Sequence, residues 1–271
     1  MAKGVGIILE GGGVKGAYQV GALKALQDIN FEIDGYAGTS IGALNAAQLC
    51  QTDIDTLYDI WINVVTTTIY DVDQDLIESY KEHGFTMKFI REALKKSKEF
   101  SKYYSGTQKN MYDFIHGHLD EKKLRESPKD LGFVTYCVSD RKGLELMKED
   151  CPEGTLIDYV EASAAFPAFP AKVVEGKKHI DGGVWDNMPI NLFARHGYDK
   201  MLVIRTGNKK PKKKLERDDL KLLYVTPKVE LGKIMAFDRD IIHRDIEIGY
   251  NDMKEIIDSG GLDIFNWKVL K

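Results

Sequence analysis

The chain has 271 residues, and its 38 Lys and Arg against 42 Asp and Glu give a formal net charge of −4, so no global basic charge points to a nucleic acid as partner. At 43% hydrophobic and 30% charged residues, it has the composition of a globular protein and the length to bury a substantial core as one unit, residues 1–271. Cys50, Cys137 and Cys151 are odd in number, widely spaced and without a C-x-x-C pair, which indicates neither a disulfide framework nor a zinc site.

The opening "MAKGVGIILEGGG" carries one Lys and a short, interrupted apolar run, unlike the longer apolar core of a secretory signal. No stretch approaches the roughly 18 apolar residues of a membrane-spanning helix, so the expected location is cytoplasmic. Val5 to Leu9 reads as a fully buried strand, followed by a glycine loop and a helix from about Ala17 to Asp28. "DGYAGTSIGALNAAQLC" repeats the pattern, with a strand ending near Ala37, a tight turn and a helix from about Ile41 to Cys50. Such units predict a three-layer α/β/α fold with a mostly parallel central sheet. Residues 53–129 are rich in charge and Tyr, with helical spacing at Leu57, Ile60, Trp61 and Val64 and again at Met87, Ile90 and Leu94. They read as a helical insertion or cap. Phe133 to Ser139 and Leu144 to Met147 look like paired strands, and a helix over about Leu156 to Ala165 ends at "FPAFP". "AKVV" and "KHI" resemble a hairpin leading into "DGG"; "DKMLVIRT" is another buried strand. Residues 207–271 hold a basic loop and a final helix from about Leu231 to Ser259.

Gly11, Gly12 and Gly13 stand between a strand and a helix, where bare backbone serves either a phosphate or an oxyanion. Gly11, Gly13 and Gly16 satisfy G-x-G-x-x-G, and Asp34 lies where an acid would meet a ribose hydroxyl. Against a dinucleotide, "QDINFEID" is a weak second strand; against a P-loop, Ala17 follows Gly16 where Lys is required. "GTSIG", Gly38 to Gly42, is G-x-S-x-G, in which Ser40 would sit on a strained strand-to-helix turn; the plainer reading is Ser40 as a helix cap. His83, His116, His118, His179, His196 and His243 occupy no distinctive context. Asp181 ends an apolar strand and is followed by Gly182 and Gly183, which alone would read as a turn.

The segments "GGGVKG", "GTSIG", "ASAAFP" and "DGG", in this order and spacing, resemble the patatin-like phospholipase family over about Gly6 to Thr206. The resemblance implies an α/β/α fold and hydrolysis of fatty-acyl esters of phospholipids or lysophospholipids by a Ser–Asp dyad without a catalytic histidine; no cofactor is expected, nor a metal, since no His, Cys or carboxylate cluster has ligand spacing. It assigns Ser40 as nucleophile and Asp181 as base. Gly11, Gly12, Gly13, Lys15 and Gly16 match the oxyanion segment, with Lys15 where many members have Arg. Gly38 and Gly42 match the elbow, and Gly182 and Gly183 the DGG motif.

Two further readings accompany this one. His179 shares a strand face with Asp181, so a His base oriented by Asp is stereochemically open. A lipid-binding or partner-binding protein that keeps the fold without hydrolysis is the alternative function. Six of the ten residues Arg205 to Lys214 are Lys or Arg: a solvated loop, or a contact with anionic lipid headgroups at a membrane surface. The Tyr and Phe residues from Tyr103 to Phe114 read as insertion core or as a lid for acyl chains. Ala162 to Ala165 read as packing, and Asn187 and Pro189 as shaping the turn after Asp181.

Overall fold

The computed structural model describes residues 3–63, 118–167, 171–208, 213–232 and 238–267. Strand β1 (Val5–Leu9) has no polar side chain and is buried along its length, as a central parallel strand must be. It pairs in parallel with β2 (Gly35–Thr39) and with β7 (Lys200–Ile204), and β7 in turn pairs in parallel with β8 (Lys221–Val225). On the other side, β2 pairs in parallel with β3 (Asp130–Cys137). Antiparallel pairing joins β3 to β4 (Lys142–Met147) and to β6 (Lys177–Asp181), and β6 to β5 (Lys172–Val174). The sheet is therefore mixed but mostly parallel, as expected.

Alternation along the strands splits the core into two layers. Ile7 and Leu9 of β1 and Leu202 and Ile204 of β7 pack with α1 (Gly16–Asp28), α2 (Ile41–Gln51), α5 (Leu156–Ser163) and α7 (Arg239–Asp258). Ile8, Met201 and Val203 pack on the opposite face with α6 (Ile190–Arg195). These are the three layers. Helix α1 crosses α7 closely enough that a Cβ on Gly21 would lie 1.8 Å from the Ile246 carbonyl oxygen, and one on Gly249 2.0 Å from that of Tyr18. Beside the crossing, Tyr18 Oη donates to Asp252 Oδ2 at 2.9 Å.

Several boundaries differ from expectation. Strand β2 runs on to Thr39, and α5 stops at Ser163. The last helix starts at Arg239, where Asp238 Oδ1 accepts the N–H groups of Asp240 and Ile241; Leu231 and Gly232 are not helical. Helix α6 and strand β8 were not expected, so the segment after 207 adds a sheet strand to its basic loop and helix. Of 53–129, α3 (Ile54–Asn63) and α4 (Glu121–Glu126) are helical. The spacing at Met87 to Leu94 and the aromatic residues from Tyr103 to Phe114 lie outside the described residues.

One pairing detail sets the site. Strand β4 lies along Gly132–Cys137 on one edge of β3. Strand β2 takes residues 130–134 of β3 and β6 takes 135–137, so these two share the other edge, end to end. Thr39 stands opposite Val134 and Asp181 opposite Thr135, one residue rise apart, about 3.3 Å along β3. The C-terminal ends of β2 and β6 meet head-on.

Candidate active site

Because β6 occupies the edge ahead of it, β2 cannot continue past Thr39. The chain turns out of the sheet at Ser40, with φ 57° and ψ −127°, the conformation of the first central residue of a II′ turn, which favours glycine. The turn is tight enough to exclude side chains on both flanks. A Cβ on Gly38 would lie 2.2 Å from the Gly42 carbonyl group, and one on Gly42 2.2 Å from the Leu9 carbonyl oxygen. Ser40 does stand at the N-cap position of α2, but its side chain makes no capping bond, so capping does not engage its hydroxyl. Its N–H donates to Ser163 Oγ at 3.0 Å, and its carbonyl oxygen accepts from Ala43 and Leu44.

Asp181 is fully buried where β6 ends. Its Oδ1 accepts the Gly183 N–H at 2.7 Å, and its own N–H donates to Ala165 O at 2.7 Å. The turn expected of D-G-G is therefore present, and it orients the carboxylate. Gly182 must be glycine, since a Cβ there would come 2.1 Å from Val134 O on the strand that also carries β2.

The glycine loop borders the elbow, a Cβ on Gly11 falling 3.1 Å from Ser40 Cβ. The reason for bare backbone lies largely in the protein itself. Side chains at Gly11 and Gly12 would meet Asn187 Oδ1 at 2.4 Å and Thr206 Oγ1 at 2.5 Å, and Gly13 has φ 59°. Of the three amides expected to serve an oxyanion, that of Gly11 is engaged, donating to Asn187 O at 3.2 Å. Those of Gly12 and Gly13 make no hydrogen bond among the described residues. Lys15 closes the short 3-10 turn Gly13–Lys15, and Gly16 opens α1, where a Cβ would meet Ile41, Trp61 and Asn45. Gly16 thus serves helix packing.

His179 does not join the site as a base. It is buried with its ring edge-on to Tyr159, neither ring nitrogen has a hydrogen-bond partner among the described residues, and burial pushes its pKa down. Three other residues touch the site instead: Ser163, read from the sequence only as packing, Asn187, read only as shaping the turn after Asp181, and Thr206, which sequence reading did not single out. The only local signals were a hydroxyl among the alanines of "ASAAFP" and a polar residue soon after D-G-G. Asp186, also buried, has its carbonyl oxygen bound by Thr39 Oγ1 at 2.9 Å; burial pushes its carboxyl up to about 6. Of the basic loop, Lys213 pairs with Glu145 and lies 4.6 Å from the centre of the Trp185 ring, and Arg205 Nε lies 3.4 Å from Glu10 Oε2. Lys209, Lys210 and Lys212 lie outside the described residues. Among the described residues, no three His, Cys, Asp or Glu side chains converge to hold a metal ion, and no helix is long and apolar enough to cross a membrane.

The family model for patatin-like phospholipases matches residues 7–194, which carry both the elbow and the D-G-G turn. The chain belongs to the patatin-like phospholipase family. Relatives of this patatin-like chain include a lysophospholipase of Aspergillus terreus, 27% identical over 216 residues, and the neuropathy target esterase sws of Drosophila melanogaster, 24% identical over 208. These matches cover 76% and 75% of this chain but only 12% and 13% of those proteins. The fold is shared with human GIVD cytosolic phospholipase A2, at TM-score 0.59 and 10% identity over 98% of this chain and 62% of that one. VipD from Legionella pneumophila gives 0.52 at 16% identity, over 95% and 67%.

Proposed function

We propose that the chain is a serine acyl hydrolase that cleaves fatty-acyl ester bonds of phospholipids or lysophospholipids through a Ser40–Asp181 dyad. The observation that carries this reading is the head-on meeting of β2 and β6, which sets a strained, uncapped serine beside a buried carboxylate. Ser40 Oγ attacks the ester carbonyl carbon while its proton passes to the Asp181 carboxylate. The carbonyl oxygen becomes an oxyanion held by the N–H groups of Gly12 and Gly13, with the positive end of α1 close behind. Collapse breaks the ester C–O bond; the leaving alcohol takes the proton from Asp181, and the acyl group stays on Ser40. Water then attacks the acyl carbon and gives a proton to Asp181, which returns it to Ser40 Oγ as the fatty acid leaves. Burial keeps bulk water from competing for that proton.

Relatives named lysophospholipase and a fold neighbour titled phospholipase A2 support a phospholipid-type ester as substrate. Contact with an anionic membrane surface would draw on the loop lysines other than Lys213, whose ammonium is paired within the protein. The test is hydrolysis of p-nitrophenyl esters of increasing chain length, in EDTA, by wild type, Ser40→Ala and Asp181→Asn. Turnover by wild type and a loss of at least about 10³-fold in each folded variant is expected. Equal rates in all three would overturn the dyad and leave lipid or partner binding as the function.

A further inference from the structure

The peptide between Gly11 and Gly12 is gripped from one side. Its carbonyl oxygen accepts from Thr206 Oγ1 at 2.8 Å and from Asn187 Nδ2 at 3.0 Å, while the Gly11 N–H donates to Asn187 O. Packing forbids a Cβ at either glycine, and the same lack leaves the peptide between them little resistance to rotation about its flanking bonds. In a planar trans peptide, C=O and the following N–H point in opposite directions. Holding Gly11 O toward Asn187 and Thr206 therefore aims the Gly12 N–H the other way. Rotated by half a turn, the peptide would offer a lone pair where the donor stood.

We propose that Asn187 and Thr206 are positioning residues that lock the Gly11–Gly12 peptide with the Gly12 N–H toward the oxyanion formed at Ser40, an inference that rests on the hydrolase reading above. The locked peptide lies against the nucleophile, as the 3.1 Å approach of a Gly11 Cβ to Ser40 Cβ requires. Only one orientation of the Asn187 amide gives Gly11 O a donor, and it is the one present. Thr206 is itself held, its N–H donating at 2.8 Å to Oε2 of the buried Glu10. The lock thus joins the start of the chain to the turn after Asp181 and to the end of β7.

Three variants test it. Thr206→Val keeps the shape and removes the donor, Thr206→Ser keeps the donor, and Asn187→Asp replaces a donor with an acceptor. On p-nitrophenyl butyrate, kcat should fall about 10-fold in Thr206→Val and about 10²-fold in Asn187→Asp, with KM within about twofold. Thr206→Ser should recover most of the rate. NMR of the same proteins reads the peptide directly, without turnover. The Gly11 carbonyl carbon should shift and the Gly12 amide broaden by microsecond–millisecond exchange in Thr206→Val and Asn187→Asp, and not in Thr206→Ser. Should Asn187→Asp fail to fold, the isosteric Thr206→Val decides. A folded donor-less variant with wild-type kcat, or with Gly11 and Gly12 signals unmoved, overturns the lock. A wild type that turns over no ester overturns the hydrolase reading instead, and the carbonyl signal still reports whether the peptide is held.

Discussion

Glycine removes a Cβ for two different ends in this chain. Where α1 crosses α7, Gly21 and Gly249 let two helix backbones touch. Both helices keep ordinary geometry there, and the nearby Tyr18–Asp252 pair is hydrogen-bonded. Where β2 meets β6, Gly38, Gly42 and Gly182 permit approaches just as close, but around them Ser40 is strained. Buried polar atoms on Asp186, Asn187 and His179 there lack hydrogen-bond partners among the described residues. Close approach alone marks packing; close approach with strain and unsatisfied polarity marks a place where stability has been given up for chemistry.

That contrast can be broken by comparing one glycine from each region. Gly249→Ala and Gly42→Ala both force a Cβ into a backbone carbonyl and should each lose about 3 kcal/mol of stability or more by chemical denaturation. The rate per folded molecule should separate them. It should stay within about twofold in Gly249→Ala and fall at least about 10²-fold in Gly42→Ala, counted by titration with a fluorophosphonate. Equal losses would mean that the helix crossing is coupled to the site.

A smaller effect isolates the strain. Ser40→Gly should stabilise the fold by about 1 kcal/mol, whereas Ser40→Ala, which keeps the Cβ, should not. A Ser40→Gly protein that melts with or below Ser40→Ala would remove strain from the account of the elbow.

A further effect depends on pH. Burial raises the Asp186 carboxyl from 3.8 to about 6, so the folded state holds that proton more tightly than the unfolded chain. The stability this gives is complete below pH 3.8 and is lost as pH rises through about 6. Asp186→Asn cannot ionise. It should exceed wild type by about 1–3 kcal/mol above pH 6, with the gap closing near pH 4. A gap that does not change with pH would assign the effect to packing.

What could be read from the sequence was what the chain decides locally. The apolar run Val5–Leu9 makes a central strand on its own, and the close approach that bars a side chain at Gly38 is made by Gly42 within "GTSIG" itself. The partners of Gly11 could not be read, because they lie 176 and 195 residues away at Asn187 and Thr206. Bare backbone was expected to make room for substrate, and much of it makes room for those side chains. Helix α6 is too short for its period to stand out, and β8 follows a charged stretch that masks it. Apolar residues at Leu231, Ile234 and Met235 extend a helical pattern past the true start of α7, which the Asp238 cap sets.

Strand β3 acts as a ruler on which two distant segments are measured against each other. Ser40 leaves the ribosome 181 − 40 = 141 residues before Asp181. At about 5–20 residues per second, that is a wait of about 7–28 s. During it the elbow has no neighbouring carboxylate, so under the proposed dyad a nascent chain is chemically silent until β6 arrives to close the line.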